Sequence, residues 1–136
     1  MNTKMLVAGL MGGVGFFLLG WILYGMLLMD TMASYSNAAC MRAEEDMNMP
    51  LLVVGNLIQG FFVAYIFSNW ASISTFATGL QRGAFIGFLI SLAMNCIWYA
   101  TSTVMTDFTG AIIDIIVVTV MWGIVGGIVG WWLGRK

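Results

Sequence analysis

The sequence predicts an all-α membrane protein, a four-helix transmembrane bundle with N- and C-termini cytoplasmic, and three observations carry that prediction. First, 61% of its 136 residues are hydrophobic and 8% are charged, against about 45–50% and about 25% in an average soluble domain. Second, the charged side chains leave four long gaps, Met5 to Met29, Leu51 to Gln81, Gly83 to Thr106 and Ile115 to Gly134. A bilayer core needs roughly 20 apolar residues at about 1.5 Å rise, so each gap holds one span. Third, Lys4, Arg82, Arg135 and Lys136 fall on one side of this layout and Arg42 alone on the other. Basic residues near span ends favour the cytoplasm, which places both ends and the middle loop inside.

These gaps give one domain over residues 1–136, with spans at about 5–29, 51–70, 83–105 and 111–133 and an outer loop at 30–49. The first apolar run exceeds the roughly 7–15 residues of a secretory signal, so the first span is expected to be retained. The outer loop mixes Ser34, Ser36 and Asn37 with Arg42, Glu44, Glu45 and Asp46. Pro50, the chain's one proline, suits the first turn of the second helix, where its missing N–H costs nothing. Ser68 to Gln81 is rich in Ser, Thr and Asn and reads as a polar inner turn. Loop 106–110 is the last outer turn, marked by Gly110. Trp70, Trp131 and Trp132 form an inner aromatic belt.

Seventeen glycines would weaken soluble helices, but between membrane helices small residues let backbones approach closely. Helical spacing groups Gly9, Gly12, Gly13 and Gly20 on the first helix and Gly83, Gly87 and Ser91 on the third. Gly123, Gly126, Gly127, Gly130 and Gly134 group on the fourth. These faces serve packing within one bundle or association with a second copy or a membrane partner protein. On a helical projection Asp114 lies roughly 175° from the mean direction of the fourth helix's glycines. With Asp114 inward, that stripe is expected to point out of the bundle.

Asp114 is the one acidic residue within a span. A charge at mid-bilayer costs roughly 2.5–3.5 kcal/mol, less near the edge, so intramembrane carboxylates face protein or a wet cavity. Asn56 and Gln59 share a face of the second helix, Asn95 flanks the glycine face of the third, and Tyr24 continues that of the first. All of these lie within roughly 15 Å of the outer ends at helical rise. They predict an outward-facing polar cluster around Asp114, rimmed by Trp98 and Tyr99, that binds a small polar or cationic ligand or a proton. Ordinary interhelical hydrogen bonding, worth about 0.6 kcal/mol per contact, is the competing explanation.

Much chemistry is missing. The chain has no histidine, so the usual general base, proton shuttle and commonest metal ligand are absent together. Cys40 and Cys96 lack the C-x-x-C spacing of a redox pair. The acidic run at Glu44 lacks the alternating ligands of a calcium loop and reads as a solvated charge run. Twelve methionines are scattered as adaptable filler rather than copper ligands. No catalytic residue, metal site, cofactor or nucleic-acid partner is expected; the lipid bilayer is the expected surrounding. A faint echo between Gly55-Asn-Leu-Ile-Gln59 and Gly110-Ala-Ile-Ile-Asp114 suits a duplicated helix pair, though similar apolar helices match this well by chance.

Gly20-Trp21 and Tyr24-Gly25 late in the first span, with Ile112-Ile113-Asp114 opening a glycine-rich fourth, give the chain a layout that resembles a family of small bacterial four-helix inner-membrane proteins of unknown function. The resemblance implies fold and bacterial location, and no activity. Small multidrug exporters share the helix count, but the first helix here lacks their intramembrane glutamate. The leading expectation is a noncatalytic oligomeric or accessory bundle associating through its glycine faces; the alternative is a small transporter or ligand-binding protein centred on Asp114.

Overall fold

The computed structural model describes residues 2–136. Four helices are long and apolar enough to cross a membrane, Thr3–Leu27, Met49–Trp70, Phe76–Thr101 and Phe108–Leu133, and the chain is a multi-pass membrane protein folded as an all-α four-helix bundle. Helix α1 runs over Thr3–Gly20 and continues as a π-helical stretch, Trp21–Leu27. Helix α2, Met29–Tyr35, opens the outer loop; α3 is Met49–Tyr65 with a π-helical end at Ile66–Trp70. Helices α4, Phe76–Thr101, and α5, Phe108–Leu133, complete the bundle.

Each start has a local cause. The side chains of Asn2, Asn48, Thr75 and Asp107 accept hydrogen bonds from backbone N–H groups in the first turns of α1, α3, α4 and α5, which otherwise lack partners. Pro50 sits in the first turn of α3, where the sequence places it. Caps also explain why two boundaries differ from expectation. The third span begins at Phe76, not 83, because Thr75 starts the helix ahead of the polar residues Thr78, Gln81 and Arg82. A gap between charges measures the apolar stretch, not the helix. The inner turn shrinks to a few residues around Ser72, whose φ of 49° is a left-handed conformation that tightens it. On the outer side Asp107 starts α5 early, so Gly110 lies within the helix and packs against the Tyr35 side chain.

The helices assemble as two pairs. Helices α4 and α5 share the most extensive contact, α1 and α3 the next, and α1 joins the pairs by packing on α5. The buried row of α4 is Gly79, Gly83, Gly87, Ser91 and Asn95, a four-residue repeat. On α5 it meets Gly130, Gly126 and Trp122: Cβ atoms placed on Gly79, Gly83 or Gly126 would strike the backbone of the facing helix. Gly123 faces Ala84, Gly127 faces the Phe76 ring and Gly134 faces Ser74. The glycine stripe of α5 therefore packs inside the chain. The expectation that it points outward fails because the contact line follows rows of residues four apart, which drift about 40° around the helix per step. Over the four steps from Gly130 to Asp114 that drift comes to about 160°, so both ends of the row face α4.

In the other pair, Gly9 lies under the Phe61 ring, and a Cβ on Gly13 would sit 2.8 Å from Leu57 Cα. Gly60 of α3 fits against the backbone of Gly9 and Gly13. Phe16, Phe67, Val63, Val125 and Val129 are the largest fully buried side chains, and Phe16 meets the Trp122 ring with centroids 5.0 Å apart. Both termini lie at one end, where the Lys4 ammonium donates to the Arg135 carbonyl and the Arg135 guanidinium lies over the rings of Trp131 and Trp132. At the other end the outer loop docks on the α4–α5 turn through two backbone bonds, Asn37 N–H to Val104 O and Thr106 N–H to Tyr35 O, each 2.8 Å.

Candidate functional site

Asp114 sits six residues into α5, about 9 Å below its outer start at helical rise. Its carboxylate turns inward. Oδ1 accepts from the Tyr24 hydroxyl at 2.5 Å; Oδ2 accepts from Asn95 Nδ2 at 2.7 Å and from the Ser91 hydroxyl at 3.4 Å. Asn95 Nδ2 also reaches the Ser91 carbonyl at 2.9 Å and the Ser91 hydroxyl at 3.2 Å. Ser91 and Asn95 are buried, at 4% and 7% exposed, whereas Tyr24 and Asp114 are half-buried.

Each member owes its place to a sequence feature. Asn95 and Ser91 are the last two members of the four-residue row that begins at Gly79, so glycine packing brings them against α5. Asp114 ends the matching row on α5. Tyr24 lies in the π-helical stretch Trp21–Leu27, where Leu28 N–H bonds back to Leu23 O at 2.8 Å. Such wide turns occur at functional sites more often than elsewhere.

The three donors around the carboxylate are neutral. At about 0.6 kcal/mol each, such contacts offset about 2 kcal/mol, comparable to the roughly 2.5–3.5 kcal/mol cost of a mid-bilayer charge, which is lower this close to the edge.

Of the residues the sequence singled out, the structure brings Tyr24 and Asn95 to Asp114 and leaves four others away from it. Asn56 Nδ2 donates to Leu52 O of its own helix at 2.8 Å, and Gln59 is exposed. Further in, Leu57 and Asn56 O of α3 lie against Gly13 of α1, and neither amide side chain is turned to the carboxylate. Trp98 and Tyr99 are 51% and 44% exposed, with Tyr99 packed edge-on against Phe108 at the start of α5, and among the described residues neither bonds to Asp114. Ser91 was read only as part of a packing face; the repeat from Gly79 through Asn95 is the signal that identifies it. Two surface grooves, of about 300 and 110 Å³, lie between α1 and α3. Their walls, including Met5 and Phe61 in one and Val14 and Leu57 in the other, are apolar and remote from the carboxylate. Cys40 and Cys96 are free and exposed. Among the described residues no group of His, Cys, Asp or Glu is arranged to hold a metal ion.

No family model, curated protein or solved structure matches this chain.

Proposed function

We propose that this chain is a noncatalytic membrane protein, a small transporter or ligand-binding protein, whose working site is the cluster of Asp114, Tyr24, Ser91 and Asn95 in the outer half of the bundle. The observation that carries the reading is an intramembrane carboxylate held by three neutral donors from two other spans. Ionisable groups inside a membrane domain are costly, and they typically mark ion and proton pathways. The ligand is a proton or a small polar or cationic species entering from the outer side. Association through glycine faces, the other reading of the sequence, has less support, because those glycines already pack against helices of the same chain. We infer a bacterial inner-membrane location, both termini cytoplasmic, from the clustering of Lys4, Arg82, Arg135 and Lys136 and from the family resemblance.

The test is the unfolding temperature of the purified protein in lipid nanodiscs, titrated with sodium, potassium, methylammonium or acid. A cation that binds the native state raises that temperature with its concentration, and acid shifts it where protonation changes the contacts of Asp114. The reading expects at least one of these four probes to shift the wild type and to leave Asp114→Asn unmoved. Identical responses in the two proteins to every probe would overturn it.

A further inference from the structure

The polar site lies across a seam. Asp114, Ser91 and Asn95 belong to the α4–α5 pair, whereas Tyr24 belongs to the α1–α3 pair. Within each pair, glycine backbones touch, Gly60 against Gly9 and Gly13 in one pair and Gly79 and Gly83 against Gly126 and Trp122 in the other. The seam between pairs is built differently. A Cβ placed on Gly12 would lie 3.1 Å from Val129 Cγ2, one on Gly15 would lie 3.3 Å from Val125 Cγ2, and one on Gly20 would lie 3.8 Å from Met121 Cε. Contact across the seam at these positions is thus made by side chains. Within the spans, a polar tie across it is the Tyr24–Asp114 hydrogen bond at 2.5 Å. It sits toward the outer end.

We propose that the ligand of this site is a proton, and that its arrival at Asp114 releases Tyr24 and lets the two glycine-packed pairs part at their outer ends. This rests on the reading of Asp114 as a binding site. The step is a plain proton transfer: a carboxylate oxygen gains a proton from outer-side water, one O–H bond forms, and the site loses its negative charge. Tyr24 then donates to a neutral acid, and a hydrogen bond to an ionised acceptor is roughly twice as strong as one to a neutral acceptor. The contact therefore weakens as pH falls and recovers as pH rises. Packing argues for a proton over a larger cation: donors at 2.5 and 2.7 Å already occupy both oxygens.

Of the titratable and charged groups on the elements packed against α5, Tyr24 touches the carboxylate. Tyr35 of α2 lies against Gly110, one turn toward the outer end, and Asp30 of α2 is exposed. Tyr99 of α4 packs edge-on against Phe108 at the outer start of α5, and Cys96 of α4 and Tyr65 of α3 are exposed. The loop bonds of Asn37 and Thr106 also cross the outer end, in the loops beyond the spans, where water can replace them. Two rigid groups of helices rocking about a fixed midmembrane site is a common way for transporters to alternate access.

The experiment measures distances between nitroxide labels by double electron–electron resonance in liposomes, in a Cys40→Ser, Cys96→Ala background. Labels at Met26 and Trp98 span the seam; labels at Ile112 and Trp98 stay within one pair. The same samples are followed by infrared spectroscopy of the Asp114 carboxyl from about pH 3 to about pH 8, a range that spans the reference value of free aspartate. The cross-seam distance should lengthen by a few ångströms at low pH while the within-pair distance holds. Asp114→Asn should show no pH response, and Tyr24→Phe should give the longer distance throughout. A static seam while the Asp114 acid band appears would overturn the latch and leave the binding site standing. Absence of that band, with cation-dependent thermal shifts retained, would overturn the proton as ligand. Absence of both would remove the site reading as well.

Discussion

Tyr24 and Asp114, 90 residues apart in sequence, meet at 2.5 Å and join the first span to the fourth. The bond is charge-assisted when Asp114 is ionised, and bonds to ionised groups are worth about 1.5–3 kcal/mol in soluble proteins and about 0.6 kcal/mol on average between membrane helices. Tyr24→Phe keeps the ring and removes the donor. It should cost about 1 kcal/mol of stability, read by steric trapping in lipid. In a double-mutant cycle with Asp114→Asn the coupling should be favourable and should vanish at low pH, because protonation removes the charge to which the Tyr24 hydroxyl donates. Strict additivity at neutral pH would show that the contact is energetically idle.

Glycine positions divide sharply by what surrounds them. A Cβ at Gly83 would strike the Trp122 carbonyl, whereas one at Gly55 meets nothing within 4 Å. Gly83→Val should therefore force α4 and α5 apart and lose several kcal/mol, consistent with overpacking penalties of about 1–3 kcal/mol or more. Gly55→Ala should be neutral or stabilising by up to about 1 kcal/mol, since alanine is the better helix former. Thermal unfolding in nanodiscs ranks the two; equal effects would contradict the pair packing.

How far the sequence reaches depends on which physical signal each feature leaves. The spans were legible because lipid demands long apolar helices, and Asp114 stood out because a charge there is costly. Tyr24 and Asn95 were found through depth and face. What escaped was pairing. A projection down one straight helix cannot show a contact line that winds around it, so Asp114 and the α5 glycines looked opposed although both face α4. Asn56 and Gln59 share a helix face with buried Gly60 and Val63, yet Asn56 bonds to its own helix and Gln59 is exposed, because which turns of a face are covered is decided by two helices together. Gly79 was assigned to the inner turn, and without it the row leading to Ser91 was too short to recognise.

Topology is open to direct measurement through the two cysteines. Cys40 lies in the outer loop and Cys96 on an exposed face of α4 within the third span. A membrane-impermeant maleimide applied to intact cells should label Cys40 and spare Cys96, because a thiol surrounded by lipid rarely ionises to the reactive thiolate. Cysteines placed beside Lys4 and Lys136 should react only after the cells are opened. Labelling of the termini in intact cells would reverse the orientation and place the Asp114 site on the cytoplasmic side.

Asn95 and Asn56 offer the sharpest comparison within the candidate cluster, since both are span amides near the outer end and only one touches Asp114. Asn95→Ala removes the 2.7 Å donor to Oδ2 and leaves the 3.4 Å contact from Ser91. A buried acceptor stripped of its partner costs about 1–3 kcal/mol. That loss should shrink at low pH, because a hydrogen bond to a neutral acid is about half as strong as one to a carboxylate. Asn56→Ala, alone or with Gln59→Ala, removes a bond to its own helix and an exposed side chain, and should stay within about 0.5 kcal/mol at every pH. Unfolding free energies at two pH values settle the matter. A pH-dependent loss confined to Asn95→Ala means that stability and ionisation are coupled at Asp114; a pH-independent loss would mean that Asn95 acts only by packing.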